Sequence, residues 1–284
     1  MTGPSTRFTG RSAAYVRGRP SYPSDVVDAL ESLGLPPGGL VVDAGAGTGI
    51  ASRLFLSRGY RVIAIEPNAE MRAAALQAGV DARDGRGEAT GLPSACADLV
   101  LCAQAFHWMD RPAAWAEFQR VAKPGALLAL LWNQRIVEGD PFLEQLEALL
   151  RRHAAEDPQV SEGAGLRQWP GATLIEFRHS QPLDWPGLLA RISSMSYMPL
   201  PGSPRHDAMA AGLRVLFETH QRGGLVTMLY HTRLYWARNG SVTSSSAGPS
   251  ALPGPTPPGN GPSARRCVSA RTRRTARPSA RAPR

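Results

Sequence analysis

The apolar positions of this chain switch repeatedly between two spacings, and the switches divide it into alternating strands and helices. Short aliphatic runs bounded by turn residues predict buried strands at 39–43, 61–66, 99–105 and 126–132, with a weaker one at 80–83. Between them the spacing is helical. A segment at 51–58 follows the first strand, and Asn68 is a capping residue for a helix from Met71 to Ala78. Asp110 can cap RPAAWAEFQRVA, where Pro112 suits the first turn and Trp115, Phe118, Val121 and Ala122 share a face; Lys123, Pro124 and Gly125 then stop it. Asp140 and Pro141 open a further helix whose Phe142, Leu143, Leu146, Leu149 and Leu150 recur as a core face does. Beyond residue 170, ATLIEFRHSQPL and GLVTMLYHTRLYWAR read as strands, with LLARISSMSYM and HDAMAAGLRVLFETH as helices between them. This is the order of an α/β protein with a doubly wound, mostly parallel sheet. The stripe Leu188, Leu189, Ile192, Met195 and Met198 reads first as ordinary packing and second as substrate contact.

The segment VVDAGAGTGI, residues 41–50, carries the chemistry. An apolar strand, Leu40, Val41 and Val42, runs through Asp43 into Gly45, Gly47 and Gly49, which permit a tight turn and let a ligand lie against bare backbone. A carboxylate just before such a loop is a poor neighbour for a pyrophosphate and a good one for a cationic or hydroxyl-bearing ligand. The dinucleotide fingerprint G-x-G-x-x-G also fails, because its sixth position is Ile50. Glu66 ends the second strand 17 positions after Gly49 (66 minus 49), where a carboxylate can accept both hydroxyls of a ribose. Taken alone, Glu66 would read as a solvated strand-end residue. Its distance from the glycine loop favours the ribose.

Composition limits the setting. A chain of 284 residues, 43% hydrophobic, can bury the core of one enzyme-sized domain. It has no apolar run near the ~20 residues that span a bilayer, and MTGPSTRFTGRSAAYVRGRP has no apolar secretion core, so a cytoplasmic protein with no membrane partner is expected. Cys96, Cys102 and Cys267 form neither a ligand cluster nor an even disulfide set. Histidines 153, 179, 206, 220 and 231 show no metal-ligand spacing, so no metal is expected.

The net charge of +9 suggests nucleic acid until it is located. Residues 241–284 hold eight arginines and no acid, which leaves 9 minus 8, or +1, on the remainder. That tail is rich in Arg, Pro, Ser and Ala, has few large aliphatics, and is expected to be a disordered extension of a domain at 1–240. Two other readings stand beside it. ARRCVSARTRRTARPSARAPR could neutralise several phosphates, and the same composition follows from a shifted reading frame in G- and C-rich DNA, which a single lysine, Lys123, beside 31 arginines (32 minus 1) would suit.

Five segments in order, DAGAGTG at 43–49, IEPNAEM at 65–71, GEATGLP at 87–93, ADLVLCAQAFHW at 97–108 and RVAKPGALLALLWN at 120–133, together with FTGRSAAYVRGRPSYP at 8–23, resemble the class I S-adenosylmethionine-dependent methyltransferases. Within that family the chain is similar to the type 11 domains of the ubiquinone/menaquinone-biosynthesis-like and trans-aconitate-methyltransferase-like proteins, over roughly residues 8–238. It departs at Ala46 and Ala126, where alanine also fits. The resemblance implies a Rossmann-like sheet of about seven strands with one antiparallel member, and a helical cap over the substrate at about 184–221.

The same resemblance implies roles for individual residues. Asp43, Gly45, Gly47 and Gly49 would surround the methionine moiety of S-adenosylmethionine, Glu66 the ribose, and Pro67 and Met71 the adenosine. Gly87, Glu88 and Ala89 would line the adenine, with Asp84 as a rival, and Gln104, Ala105 and Phe106 would stand beside the sulfonium and the acceptor. Tyr15, Arg19 and Tyr22 belong to an N-terminal segment that would fold over the substrate, where Arg19 could pair with a carboxylate; the same residues could simply fix a rigid loop.

Methyl transfer from a sulfonium is an in-line displacement in which positioning accounts for much of the rate. His107 is the candidate general base, and its other reading is an anchor for Trp108. The expected activity is methylation of a small molecule. The alternatives are an RNA or protein methyltransferase that uses the basic tail, a nicotinamide-dependent oxidoreductase, and a cofactor-binding protein without catalysis. Acceptor identity and oligomeric state have no signature in the sequence.

Overall fold

The computed structural model describes residues 18–154 and 172–240. Its strands are β1 (Leu40–Ala44), β2 (Arg61–Ile65), β3 (Asp81–Arg83), β4 (Ala97–Ala103), β5 (Ala122–Arg135), β6 (Thr173–Leu183) and β7 (Val226–Arg238). The helices are α1 (Asp25–Ser32), α2 (Ile50–Leu56), α3 (Ala69–Gln77), α4 (Arg111–Val121), α5 (Pro141–His153), α6 (Trp185–Ser193) and α7 (Pro204–His220). All seven strands join one sheet in the order β3-β2-β1-β4-β5-β7-β6. β1 to β5 pair in parallel, and β7 runs antiparallel to both its neighbours. The expected tail at 241–284 lies outside the described residues.

The central strands are apolar on both faces because helices cover both. Val41, Leu99, Leu101, Leu127, Ala129 and Leu131 meet Val26, Val27 and Leu30 of α1 and Phe55 of α2 on one side. Their alternate neighbours Val42, Val100, Cys102, Leu128, Leu130 and Trp132 meet Ala114, Phe118 and Val121 of α4 on the other. The cap builds a separate apolar cluster. Leu188, Ile192, Met195 and Met198 pack there with Leu146 of α5, Leu213 of α7 and Tyr230 of β7, so the aliphatic stripe of the cap is buried packing.

Four helices share one starting device, an oxygen-bearing cap followed by proline in the first turn. Asp110 accepts from the Ala113 N–H, Asp140 from Phe142 and Leu143, Asp184 from Gly187, and Ser203 from His206. The caps at Asp184 and Ser203 start α6 and α7 ahead of the expected 188 and 206, because Pro186, Gly187, Pro204 and Arg205 in the first turns add nothing to the apolar repeat.

β5 exceeds its expected span at both ends. Its carboxyl end continues through Asn133, Gln134 and Arg135, which stay in register with Thr232, His231 and Tyr230. The Asn133 side chain is satisfied inside the sheet, since it accepts from the Thr232 hydroxyl at 2.6 Å and donates to the Ser21 carbonyl at 3.0 Å. Ladder pairing, rather than hydrophobicity, carries the strand past Trp132.

Candidate active site

A cleft of about 870 Å³, including its open mouth, lies where the chain turns at the carboxyl ends of β1, β2 and β4. Gly45 opens the first of these turns. Its N–H and that of Ala46 donate to the Ile65 carbonyl at 2.8 and 3.2 Å, which pins the loop to β2. Gly45 has φ +73°, and a Cβ there would lie 2.7 Å from that of Ala105, so this backbone must be bare. Gly47 lines the cleft as well. Gly49 does not: with φ +75° it starts α2, and a Cβ would press on Val80 at 2.9 Å.

The two acidic residues part company. Glu66 is 8% exposed and lines the cleft. Its Oε2 accepts from the Gly47 N–H and its Oε1 from the Asn68 N–H, both at 2.8 Å. Burial raises this carboxyl above the usual range, against the pull of those two donors and of Arg72. Each oxygen keeps a lone pair for a further donor. Asp43 is fully buried and does not line the cleft. One of its oxygens accepts the Ser52 hydroxyl at 2.6 Å, Oδ1 has no partner, and burial pushes the carboxyl up to about 6.

The turn after β3 supplies Arg86, Gly87 and Glu88. Asp84 points elsewhere, 76% exposed and paired with Arg72 at 2.9 Å. Glu88 accepts the Asp110 N–H at 2.8 Å and so ties this turn to the start of α4. The thioether of Met109 lies between Gly87 and Gly45; a Cβ on Gly87 would fall 2.3 Å from its sulfur. Pro67, Asn68 and Met71 form the wall after β2.

Gln104 closes the site at the end of β4 with φ +60°, a left-handed conformation that side chains rarely adopt. It is held there by its N–H to the Leu131 carbonyl at 2.9 Å and by its side-chain amide to the Asn133 carbonyl at 3.2 Å. His107 sits behind Trp108 rather than on the cleft wall. Its ring centroid is 4.3 Å from that of Trp108 and 4.9 Å from that of Trp132, and its Nδ1 is buried without a partner. Burial, followed by the charges of Arg111 and Arg19, holds the imidazole down at about 4, so it is neutral near pH 7.

The N-terminal candidates separate. Arg19 donates to the Ser194 carbonyl at 3.2 Å, just past α6. Tyr22 is core, packed with Val26, Val27 and Leu30, and Tyr15 lies outside the described residues. Gly45, Gly47, Glu66, Pro67, Met71, Gly87, Glu88, Gln104 and Ala105 thus line one cleft, joined by Asn68, Arg86, Ala103, Trp108 and Met109, whereas Asp43, Gly49, Ala89 and the core residue Phe106 do not. For Trp108 and Met109 the available signal was their place just past the fourth strand, in a turn already expected to face the ligand. Among the described residues no His, Cys, Asp and Glu side chains cluster as a metal site would, and no helix is long and apolar enough to cross a membrane.

Known proteins resemble this chain in sequence and in fold. The family model of the type 11 methyltransferase domain matches residues 42–130, which spans the glycine loop, Glu66 and the turn after β4. An uncharacterized methyltransferase of Mycobacterium tuberculosis is 42% identical over 136 residues, 46% of this chain and 54% of that protein. The chain therefore spans about half the length of that relative. An uncharacterized methyltransferase of Schizosaccharomyces pombe is 31% identical over 172 residues, 59% of this chain and 68% of that protein. A solved structure of a proposed type II methyltransferase from Anaeromyxobacter dehalogenans has a TM-score of 0.61 at 26% identity, covering 78% of this chain and 98% of its own. The family match, the sequence relatives and the shared fold agree, and the chain belongs to the class I methyltransferases, in the type 11 branch.

Proposed function

We propose that the cleft binds S-adenosylmethionine and that the protein transfers its methyl group to a small-molecule acceptor by in-line displacement. The observation that carries this reading is Glu66, a buried carboxylate held by the N–H groups of Gly47 and Asn68 beside the bare backbone of Gly45. That cradle fits a ribose diol, and the apolar wall of Pro67, Met71 and Met109 fits a nucleobase. When bound, S-adenosylmethionine supplies a sulfonium methyl with a thioether as leaving group.

The chain's own residues provide orientation. Gln104 and Ala105 border the cleft beside the glycine loop, and the buried Trp132 packs edge-on against His107 behind them. His107 is neutral near pH 7 with a buried, unpartnered Nδ1 behind Trp108, so its role as proton acceptor requires the acceptor hydroxyl or amine to reach past Trp108. Asp43 acts at one remove, by holding the start of α2 through Ser52.

Thermal shift of the full chain tests the cofactor. S-adenosylhomocysteine should raise the melting temperature in a saturable way and NAD should not. A rise with NAD alone would turn the reading to hydride transfer.

A further inference from the structure

β6 stands at one end of the sheet order, and among the described residues no strand pairs with its outer edge. The ladder on the inner side fixes which of its backbone groups point outward. The Ile136 N–H donates to the Leu229 carbonyl and the Asn239 N–H to the Ala126 carbonyl, both at 2.8 Å, so the odd positions along β7 bond toward β5. Its even positions therefore bond toward β6, where Tyr230 is in register with His179, Thr232 with Phe177 and Leu234 with Ile175. This leaves the N–H and C=O groups of Leu174, Glu176, Arg178 and Ser180 directed away from the sheet. Pro182 takes the next outward position and has no N–H to offer, so the pairing-competent run ends there.

An edge strand with free donors and acceptors is a template for another strand. The side chains on it form two distinct rows. Leu174, Glu176, Arg178 and Ser180 share a face and are exposed. Glu176 uses Oε1 to accept from Arg233 of β7 at 2.6 Å, and Arg178 has no ion pair among the described residues. On the other face Ile175 and Phe177 are only partly buried against the core beneath α1 and α2. An acid and a base two positions apart on an antiparallel edge are complementary to the same edge turned around.

We infer that β6 pairs antiparallel with β6 of a second copy of this chain, about a two-fold axis at Phe177, so that the protein is a dimer with one continuous sheet. The free backbone groups demand that outward positions face outward positions, and the charges then choose among the registers that remain. Centred on Phe177, Glu176 faces Arg178 of the partner subunit and Arg178 faces the partner's Glu176. Centred on Glu176 or on Arg178, two carboxylates or two guanidinium groups would stand opposite each other, which is destabilising. The chosen register also sets Phe177 against the partner's Phe177 on the apolar face, and Glu176 between Arg233 and the partner's Arg178. A strand of unrelated sequence would meet the same two charges without their complements. β5 and β7 separate β6 from the strands that end at the cleft, so pairing leaves the cleft open.

Sedimentation velocity of the full chain over a wide concentration range tests this. The native chain should show a monomer–dimer equilibrium. Glu176→Arg and Arg178→Glu should each raise the dimer dissociation constant by roughly tenfold or more, because every cross-strand ion pair becomes a like-charge pair. An equimolar mixture of those two variants should form a heterodimer, since each then supplies the charges the other lacks, and the double variant should dimerise again by itself. Ser180→Pro removes one outward N–H without touching the ladder to β7 or any charge, and should weaken the dimer as well. Arg214→Glu, an exposed charge change on α7, should leave it intact. Melting temperatures and S-adenosylhomocysteine affinity should stay near the native values in all of these, which separates the dimer from folding and from the cofactor assignment.

The inference is overturned if the native chain is a monomer at every concentration. It is overturned equally by a dimer that neither single charge reversal weakens, which would place the interface elsewhere, and by a mixture of the two reversed variants that stays monomeric while the native chain dimerises.

Discussion

Asp43→Asn should cost stability at low pH and little near neutral pH. In the native chain the Asp43 carboxyl is fully buried, and burial, opposed by the Ser52 hydrogen bonds, raises it from 3.8 to about 6. A raised acid holds its proton more tightly folded than unfolded. Its stabilising contribution is therefore complete below pH 3.8 and is lost as the pH rises through about 6. A shift of about two units at ~1.4 kcal/mol each is worth about 3 kcal/mol across that window, as an order of magnitude.

Asparagine does not titrate. Its amide oxygen can keep the Ser52 hydroxyl as donor, but its amide nitrogen takes the place of Oδ1, which has no partner, at a cost of ~1–3 kcal/mol. The variant should be clearly less stable than the native chain at pH 4 and close to it at pH 7. Denaturant unfolding of both ligand-free proteins, followed by tryptophan fluorescence from pH 4 to 8, measures the difference. His107 is present in both and cancels. A stability difference that stays flat with pH, or that moves against the variant as pH rises, would refute the assignment of a buried, poorly satisfied carboxyl.

Other perturbations follow from the same geometry. His107→Gln should lower turnover while leaving S-adenosylhomocysteine affinity nearly unchanged by calorimetry; equal turnover would remove His107 from the chemistry. Because the native imidazole is held at about 4, its stabilising contribution is present above 6.5 and lost as the pH falls towards 4, and the variant's unfolding curves should lack that loss. Gly45→Ala should cost more stability than Gly59→Ala: both have positive φ, worth ~1–2 kcal/mol, but the new Cβ meets Ala105 at 2.7 Å in the first and nothing within 4 Å in the second. Glu117→Ala removes the acceptor of the Thr90 N–H, the Thr90 hydroxyl and Arg120. Since Arg120 and those donors hold its carboxyl down at about 2, the variant should lose about 2 kcal/mol at pH 7, measured by unfolding, and much less near pH 2.

The sheet was legible because period-two burial on both faces leaves aliphatic runs that end at turn residues. The cleft was legible where backbone geometry sets the residue type, as at Gly45, and where a strand tip sets the charge, as at Glu66. Asp43 and Gly49 show the limit of that reasoning. Both belong to the loop pattern, yet one is turned under α2 and the other packs on Val80, because a pattern in sequence does not say which side of a turn faces a ligand. Trp108 and Met109 are hidden in the sequence for the opposite reason, since an apolar residue at a helix entry reads as packing until its neighbours across the turn are known. Arg191 carried no signal at all. An arginine in an amphipathic helix reads as solvated, yet Arg191 is 5% exposed.

The central claim is that Glu66, clasped by the Gly47 and Asn68 N–H groups, receives the ribose of an S-adenosyl ligand. Titration calorimetry of S-adenosylhomocysteine into the full chain and into Glu66→Ala tests it most directly. The account predicts one site per chain, with affinity lower by roughly tenfold or more in the variant through loss of charge-assisted hydrogen bonds. No heat with the native chain, or equal affinity in both proteins, would contradict it.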